Sequence, residues 1–134
     1  MSETNVEVVR AHYAWLGLLA EGGEVGEWAL TYFDPNCEYW PVEEVDAVSG
    51  HDALIGWIER WLDAWSSYSE EVEEIIDGGE IVVAAISING RGRTSGVEIS
   101  QRFFHVIEMR DGRILRMREY LDRDQALEAA GLSQ

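Results

Sequence analysis

The stretch Phe103-Phe104-His105-Val106-Ile107-Glu108-Met109-Arg110-Asp111-Gly112-Arg113-Ile114-Leu115-Arg116-Met117-Arg118-Glu119-Tyr120-Leu121 carries the most structural information in the chain. Apolar and polar residues alternate on both sides of Asp111-Gly112, a dipeptide suited to the left-handed turn of a hairpin. Two antiparallel strands with one buried face follow from that pattern. The length of the turn decides which side chains share the face. A two-residue loop pairs Arg110 with Arg113 and sets His105 opposite Arg118. A three-residue loop with Gly112 left-handed pairs Met109 with Arg113, His105 with Met117 and Phe103 with Glu119. Only the second collects Ile99, Phe103, Ile107, Met109, Leu115, Met117 and Leu121 on one face, with Arg102, Glu108, Arg116 and Arg118 on the other. A one-residue slip would invert every side chain, so the apolar pattern selects the three-residue loop.

Working outward, strands are expected at 69–77, 80–90, 97–110 and 113–121, with Gly78-Gly79 as a second hairpin turn and a longer polar loop from Asn89 to Gly96. The acidic run Glu70, Glu71, Glu73 and Glu74 reads as a solvated strand edge, which discourages edge-to-edge pairing. A short strand is expected at 37–41, ending at Pro41. Before the long strands the period is helical. Thr4-Asn5-Val6-Glu7 has the form of a capping box, and Val6, Val9, Tyr13, Leu16 and Leu19 share a face with Val8, His12 and Trp15. Val25, Trp28, Ala29, Tyr32 and Phe33 mark a second helix that Asp34-Pro35 ends. A third runs from about His51 to Trp65, with Leu54, Ile58, Trp61 and Trp65 on its apolar arc and Trp57 at the edge. A last helical stretch covers 124–130. Helices first and an antiparallel meander afterwards is an α+β order. The expected fold is a single domain over 1–134, cone-shaped, with three N-terminal helices on a curved, mostly antiparallel sheet and an apolar pocket between them.

Composition removes several function classes. The formal charge is -16, and ten Arg with no Lys face 26 acidic residues. No basic footprint exists for nucleic acid or for an anionic membrane, and neither Schiff-base chemistry nor a phosphate-loop Lys is available. Cys37 is the only cysteine, so no intramolecular disulfide forms; a cytoplasmic location is expected. Three scattered His without paired spacing argue against a metal site, and no organic cofactor is implied. His12 is expected to pack in the core, and His51 to hydrogen-bond near the start of its helix.

Two polar residues stand on the apolar face of the last hairpin, His105 and Glu119, as diagonal neighbours roughly 7–8 Å apart at the backbone. A buried Glu requires a partner or a purpose. One reading is a satisfied pair that fixes the sheet. The other is proton transfer or ligand orientation in a pocket.

Gly50-His51-Asp52-Ala53 opening a Trp-rich helix, Asp77-Gly78-Gly79 and Gly90-Arg91-Gly92-Arg93-Thr94-Ser95-Gly96 resemble the nuclear transport factor 2-like superfamily. Arg118-Glu119-Tyr120-Leu121-Asp122 followed by Ala126-Leu127-Glu128-Ala129-Ala130-Gly131-Leu132 resembles its SnoaL-like branch. The likeness spans nearly the whole chain and is specific for fold rather than activity, because this superfamily hosts isomerases, cyclases, hydrolases and non-catalytic modules. In SnoaL-like cyclases an acid on the last strand works beside a His on the preceding strand, which implies Glu119 and His105, with Glu in place of Asp. Limonene epoxide hydrolases need an Arg-x-Asp pair where this chain has Ile86 and Ile88. Ketosteroid isomerases carry a basic Asp where Pro41 stands here, and their helix-one Tyr corresponds to Tyr13.

The resulting expectation is a cofactor-independent enzyme performing cyclase- or isomerase-like acid/base chemistry on an apolar carbonyl compound. Glu119 would act as acid/base, and His105 would orient it or donate to an enolate oxygen. Tyr13 and Tyr39 would add phenolic donors. Trp61, Trp65, Ile86, Ile88, Gln101, Phe103, Met117 and Leu121 would line the pocket. The rival is a binding module with the same pocket and no turnover. A homodimer is expected through the outer sheet face carrying Phe104, Val106, Ile114 and Tyr120, as the resemblance also implies.

Overall fold

The protein is described here as a computed structural model covering residues 4–42 and 44–132. Among the described residues four helices and six strands follow in the order α1 (Asn5–Leu19), α2 (Val25–Tyr32), β1 (Phe33–Trp40), β2 (Val48–Ser49), α3 (His51–Asp63), β3 (Trp65–Asp77), β4 (Ile81–Gly92), β5 (Glu98–Arg110), β6 (Arg113–Tyr120) and α4 (Arg123–Ala130). The strands form one sheet in the order β2-β1-β6-β5-β4-β3, antiparallel except where β1 runs parallel to β6. No described helix is long and apolar enough to cross a membrane.

The capping box forms: Thr4 accepts from the Glu7 backbone N–H, and the Glu7 carboxylate reaches back to the Thr4 N–H. Val8, Val9, His12, Tyr13, Leu16 and Leu19 are buried along α1. Helix α2 stops at Tyr32, and β1 begins earlier than the sequence suggests, running through Asp34-Pro35. Pro35 is tolerated because the β1–β6 register shifts between Phe33 and Glu38, and Asp34 is fixed by Arg110 at 3.1 Å and by the Asn36 N–H at 2.8 Å.

Strand β4 is buried on both faces. Val82, Ala84 and Ile86 join the core under α1–α3, whereas Val83 and Ala85 join a second core with Phe104, Val106 and three residues of α4, Ala126, Leu127 and Ala130. Helix α4 therefore covers the apolar part of the outer face, while Arg102 and Arg116 on that face stay exposed. This corrects the expected dimer surface: Phe104 and Val106 lie beneath α4, and Ile114 belongs to the inner core with no exposure. An apolar outer face signals that something covers it; here a helix of the same chain does.

Strand β3 starts at Trp65, four residues earlier than expected, and β4 continues to Gly92. The Trp65 ring lies against Gly90, where an added Cβ would stand 2.5 Å from Trp65 Cε3. Gly90, within the expected polar loop, instead admits an indole at close range.

The last hairpin differs from expectation in an instructive way. Its loop has two residues, Asp111 at φ 51° and Gly112 at φ 74°, and Arg110 pairs with Arg113. A bulge at Leu115 then shifts the register, so that Met109 faces Ile114, Ile107 faces Met117 and His105 faces Glu119 directly. Ile114, not Leu115, points into the core. The apolar pattern is satisfied, by a bulge in place of a longer loop.

Candidate active site

Direct pairing of β5 and β6 at His105 and Glu119 places both side chains on the helix-facing side of the sheet. His105 Nε2 lies 2.9 Å from Glu119 Oε2, and both side chains are buried. The same carboxylate oxygen accepts the Tyr39 hydroxyl at 2.9 Å from β1, and Glu119 Oε1 accepts the backbone N–H of Val42 at 3.1 Å. On the far side of the imidazole, Nδ1 is hydrogen-bonded to the Tyr13 hydroxyl of α1. A chain of contacts thus runs from α1 through β5 and β6 to β1 and the loop after it.

The charge states follow from those contacts. Burial pushes the Glu119 carboxyl up, but the His105 hydrogen bond and charge, the Val42 N–H and the Tyr39 hydroxyl outweigh it and hold the carboxyl below its ordinary value. Glu119 is therefore an anion at neutral pH and can only accept. His105 Nε2–H donates to it, and the Tyr13 hydroxyl engages Nδ1. Burial above all, then the nearby Glu70 and Glu119, raise the Tyr13 hydroxyl well above its usual range, so it stays a donor. Burial followed by Glu119 does the same for Tyr39. Both ring nitrogens of His105 are thus engaged within the protein, Nε2 by Glu119 and Nδ1 by Tyr13.

The pair borders a cavity of about 310 Å³, within the usual range for small-molecule sites. Of the residues expected around it, Tyr39, Trp61, Ile86, Ile88, Phe103, His105 and Glu119 line it. Five do not. Tyr13 sits behind His105, and Met117 is a buried core residue next to Glu119's strand partners. Trp65 packs on Gly90 and touches Trp61 edge-on at 5.3 Å from outside the cavity. Gln101 is exposed and turns to the Arg102 carbonyl. Leu121 lies past the end of β6 and is 53 % exposed. The last two fail because the sheet face leaves the cover of the helices before reaching them.

Several lining residues were not foreseen. Trp57 stacks on Trp61 with ring centres 5.6 Å apart and meets Tyr39 edge-on at 5.0 Å, so α3 presents a double indole wall. Pro41, Val42 and Glu44, from the loop after β1, close one side. Glu70 is the largest surprise. Of the acidic run on β3, Glu73 bonds Arg102 and Glu74 bonds Arg123 outside, but Glu70 turns into the cavity beside Tyr68. The signal was present: Tyr68, Glu70 and Val72 alternate on one face, and Val72 packs against the core. Glu70 Oε2 accepts the Tyr68 hydroxyl at 2.7 Å, while Oε1 is buried with no partner. Burial raises its carboxyl above the ordinary value; Glu119 adds to that rise, and Tyr68 and His105 oppose it.

His12 and His51 stay outside the site. His12 is buried among Tyr13, Trp28 and Phe33, and its pKa is lowered to about 3 by burial and then by His105. His51 Nε2 bonds the Phe33 carbonyl at 2.8 Å, tying α3 to β1. Cys37 is a buried strand residue. Among the described residues no cluster of His, Cys, Asp and Glu could hold a metal ion.

With this geometry in view, comparison with known proteins places the chain. The SnoaL-like domain matches residues 9–117. The chain belongs to the SnoaL-like domain family. A protein from Jannaschia sp. CCS1 described as a candidate SnoaL-like polyketide cyclase superposes with a TM-score of 0.78 at 20% identity, covering 97% of this chain and 92% of that one. A protein of ketosteroid isomerase-like fold from Catenulispora acidiphila, in complex with trimethylamine, gives 0.74 at 17% identity over 94% and 93%. TerC, co-crystallised with polyporic acid, gives 0.71 at 22% identity over 95% and 98%. At these identities the likeness establishes the fold and no activity. No curated protein matches the sequence significantly.

Proposed function

We propose that this SnoaL-like chain is an enzyme that moves a proton on an apolar carbonyl compound, in cyclase- or isomerase-like chemistry, using its own side chains. The observation that carries the reading is Glu119: an ionised carboxylate at the edge of an aromatic cavity, aimed by His105 and Tyr39. Protein contacts account for one acceptor position on Oε1, which leaves capacity to take a proton from a ligand. Tyr13 and His105 hold it from behind, and Trp57, Trp61, Ile86 and Phe103 supply apolar walls for a flat molecule. The partner is a small apolar substrate, and the active form is a homodimer; sedimentation at micromolar concentration giving monomer alone would remove the dimer from this reading.

A second reading draws on a specific observation. A carboxylate held below its ordinary pKa is a weaker base at neutral pH than one raised toward it. Such a group also suits a pocket that orients a ligand without turnover, and two structural neighbours hold small molecules. A panel of ring-containing ketones separates the readings. Enzyme behaviour predicts saturable Trp quenching and catalysed loss of α-protons, with Glu119→Gln abolishing the second and sparing the first. Binding without any proton exchange selects the module.

A further inference from the structure

The cavity holds a second carboxyl whose surroundings are the reverse of those of Glu119. Glu70 enters from β3, at the other side of the sheet, with Tyr68 beside it. The charged and titrating groups around it are Tyr68 on its own strand, His105 on β5 and Glu119 on β6. Arg60 of α3 and Glu44 of the β1–β2 loop line the same cavity. Among the described residues no cation stands within ion-pair distance of it. A buried carboxylate oxygen without a donor is costly, whereas the neutral acid has a proton to place there. Because Oε2 accepts from Tyr68, the neutral acid would carry its proton on Oε1, the oxygen that lacks a partner.

We propose that Glu70 is the proton donor of this site, its Oε1–H serving a ligand oxygen while Glu119 takes a proton from carbon. The proposal rests on the acid/base reading above and names its missing half. Two carboxyls of one cavity pushed in opposite directions divide acid from base, and Glu70, one oxygen of which has no donor, is the one pushed toward the neutral form. In the forward step the C–H electron pair of the substrate becomes a C=C bond as Glu119 takes the proton. The carbonyl oxygen takes the proton of Glu70, leaving an enol and a Glu70 carboxylate. In the second step the enol O–H returns its proton to Glu70 as the O–H pair re-forms the C=O bond. The freed C=C pair takes the proton held by Glu119 in an isomerisation, or bonds to an electrophilic carbonyl carbon in a ring closure, whose oxygen then takes the Glu119 proton. Both residues are restored and no oxidant or reductant enters.

The spacing also narrows the substrate. Three strand intervals separate β6 from β3, roughly 14 Å between backbones, and the inward side chains shorten that gap. The oxygen and the acidic C–H therefore lie at two ends of one conjugated system, as in a fused-ring enone. Such a molecule suits the indole wall of Trp57 and Trp61.

Octalone, a bicyclic conjugated enone, tests this without knowledge of the natural substrate. Deuterium uptake at its γ-carbon is followed by NMR with the full chain, and binding by Trp fluorescence. Catalysed uptake is expected, reduced at least about 100-fold in both Glu70→Gln and Glu119→Gln with binding retained. Carbon-13 NMR of the Glu carboxyls in the free protein should also show Glu70 titrating above the usual carboxylate range. Full exchange in Glu70→Gln with loss in Glu119→Gln overturns the role of Glu70 and leaves the acid/base reading standing. Ordinary titration of Glu70 overturns it too. No exchange above buffer in the wild type removes both.

Discussion

Glu119 and Glu70 are the same side chain in one cavity, and their surroundings give them opposite characters. Glu119 meets the His105 Nε2–H, the Tyr39 hydroxyl and the Val42 N–H, drawn from β5, β1 and the loop after β1. Among the described residues Glu70 has one hydrogen-bond partner, Tyr68, and its other oxygen has none. The hydrogen-bonding need of the carboxylate is met at the hairpin end of the cavity, whereas the β3 end keeps an unmet one. Donor count, rather than depth of burial, pushes the two carboxyls in opposite directions here, since both are largely shielded from water.

The largest expected effect lies at the satisfied end. Glu119→Gln keeps size and removes titration, and turnover of any substrate found by screening should fall at least about 100-fold. His105→Ala should lower it as well, through lost positioning. Combined, the two should cost less than the product of the single losses, because His105 acts through Glu119. Rates for both singles and the double form the measurement, and strictly multiplicative losses would show two independent roles. Undiminished turnover in Glu119→Gln with reduced stability would assign the pair to holding the sheet.

The β3 end has its own structural weak point. Trp65 lies on Gly90, and Gly90→Ala would bring a Cβ to 2.5 Å from the indole and 3.1 Å from the Ser67 carbonyl. Overpacking of this kind should destabilise by about 1–3 kcal/mol in urea unfolding. Trp65→Leu should recover part of that loss when combined with it, since the two sites touch. Equal and additive losses would place the strain elsewhere in the β3–β4 pair.

Stability against pH should separate the two carboxyls by sign. Glu119 is depressed, so its contribution is present above the unfolded carboxylate pKa and is lost as pH falls through the lower folded value. Glu70 is raised, so the fold is unburdened below the unfolded pKa and loses stability as pH rises through the higher folded value. Glu70→Met should therefore match the wild type near pH 4 and exceed it at pH 8, by about 1 kcal/mol, the scale of an unmet buried polar group. Urea midpoints across that range measure the gap. A gap that narrows with rising pH would contradict the assignment of Glu70 as the neutral partner.

What could be read from the sequence follows the same division. Periodicity exposed the helices, the long strands and the inward placement of His105 and Glu119, because one buried face leaves a repeating mark. It could not distinguish a three-residue loop from a two-residue loop with a bulge, since both restore the apolar parity; Ile114 and Leu115 exchanged places as a result. The cover of the sheet was also invisible. Gln101 and Leu121 have the right parity but lie beyond the helices, and Phe104 and Val106 looked like a free surface until α4 was found above them. Glu70 was missed because a run of four acidic residues reads as one solvated edge.

That run supplies the smallest predicted effect and the sharpest contrast. Glu73 and Glu74 follow Glu70 by three and four residues, yet a bulge between Val72 and Glu74 shifts the alternation of β3. Both are paired outside the cavity, Glu73 with Arg102 at 2.6 Å and Glu74 with Arg123 at 3.2 Å, and both arginines stand in solvent. Exposed ion pairs gain little, because water already solvates each charge and ordering two long side chains costs entropy. Arg102→Ala and Arg123→Ala should each move the melting temperature by less than about 2 °C at physiological salt, and by less still as salt screens the pair. Neither should alter octalone exchange or the titration of Glu70. If Arg123→Ala instead lowers exchange as Glu70→Gln does, then the link from α4 to the edge strand positions the cavity wall, and the two sides of β3 are mechanically one.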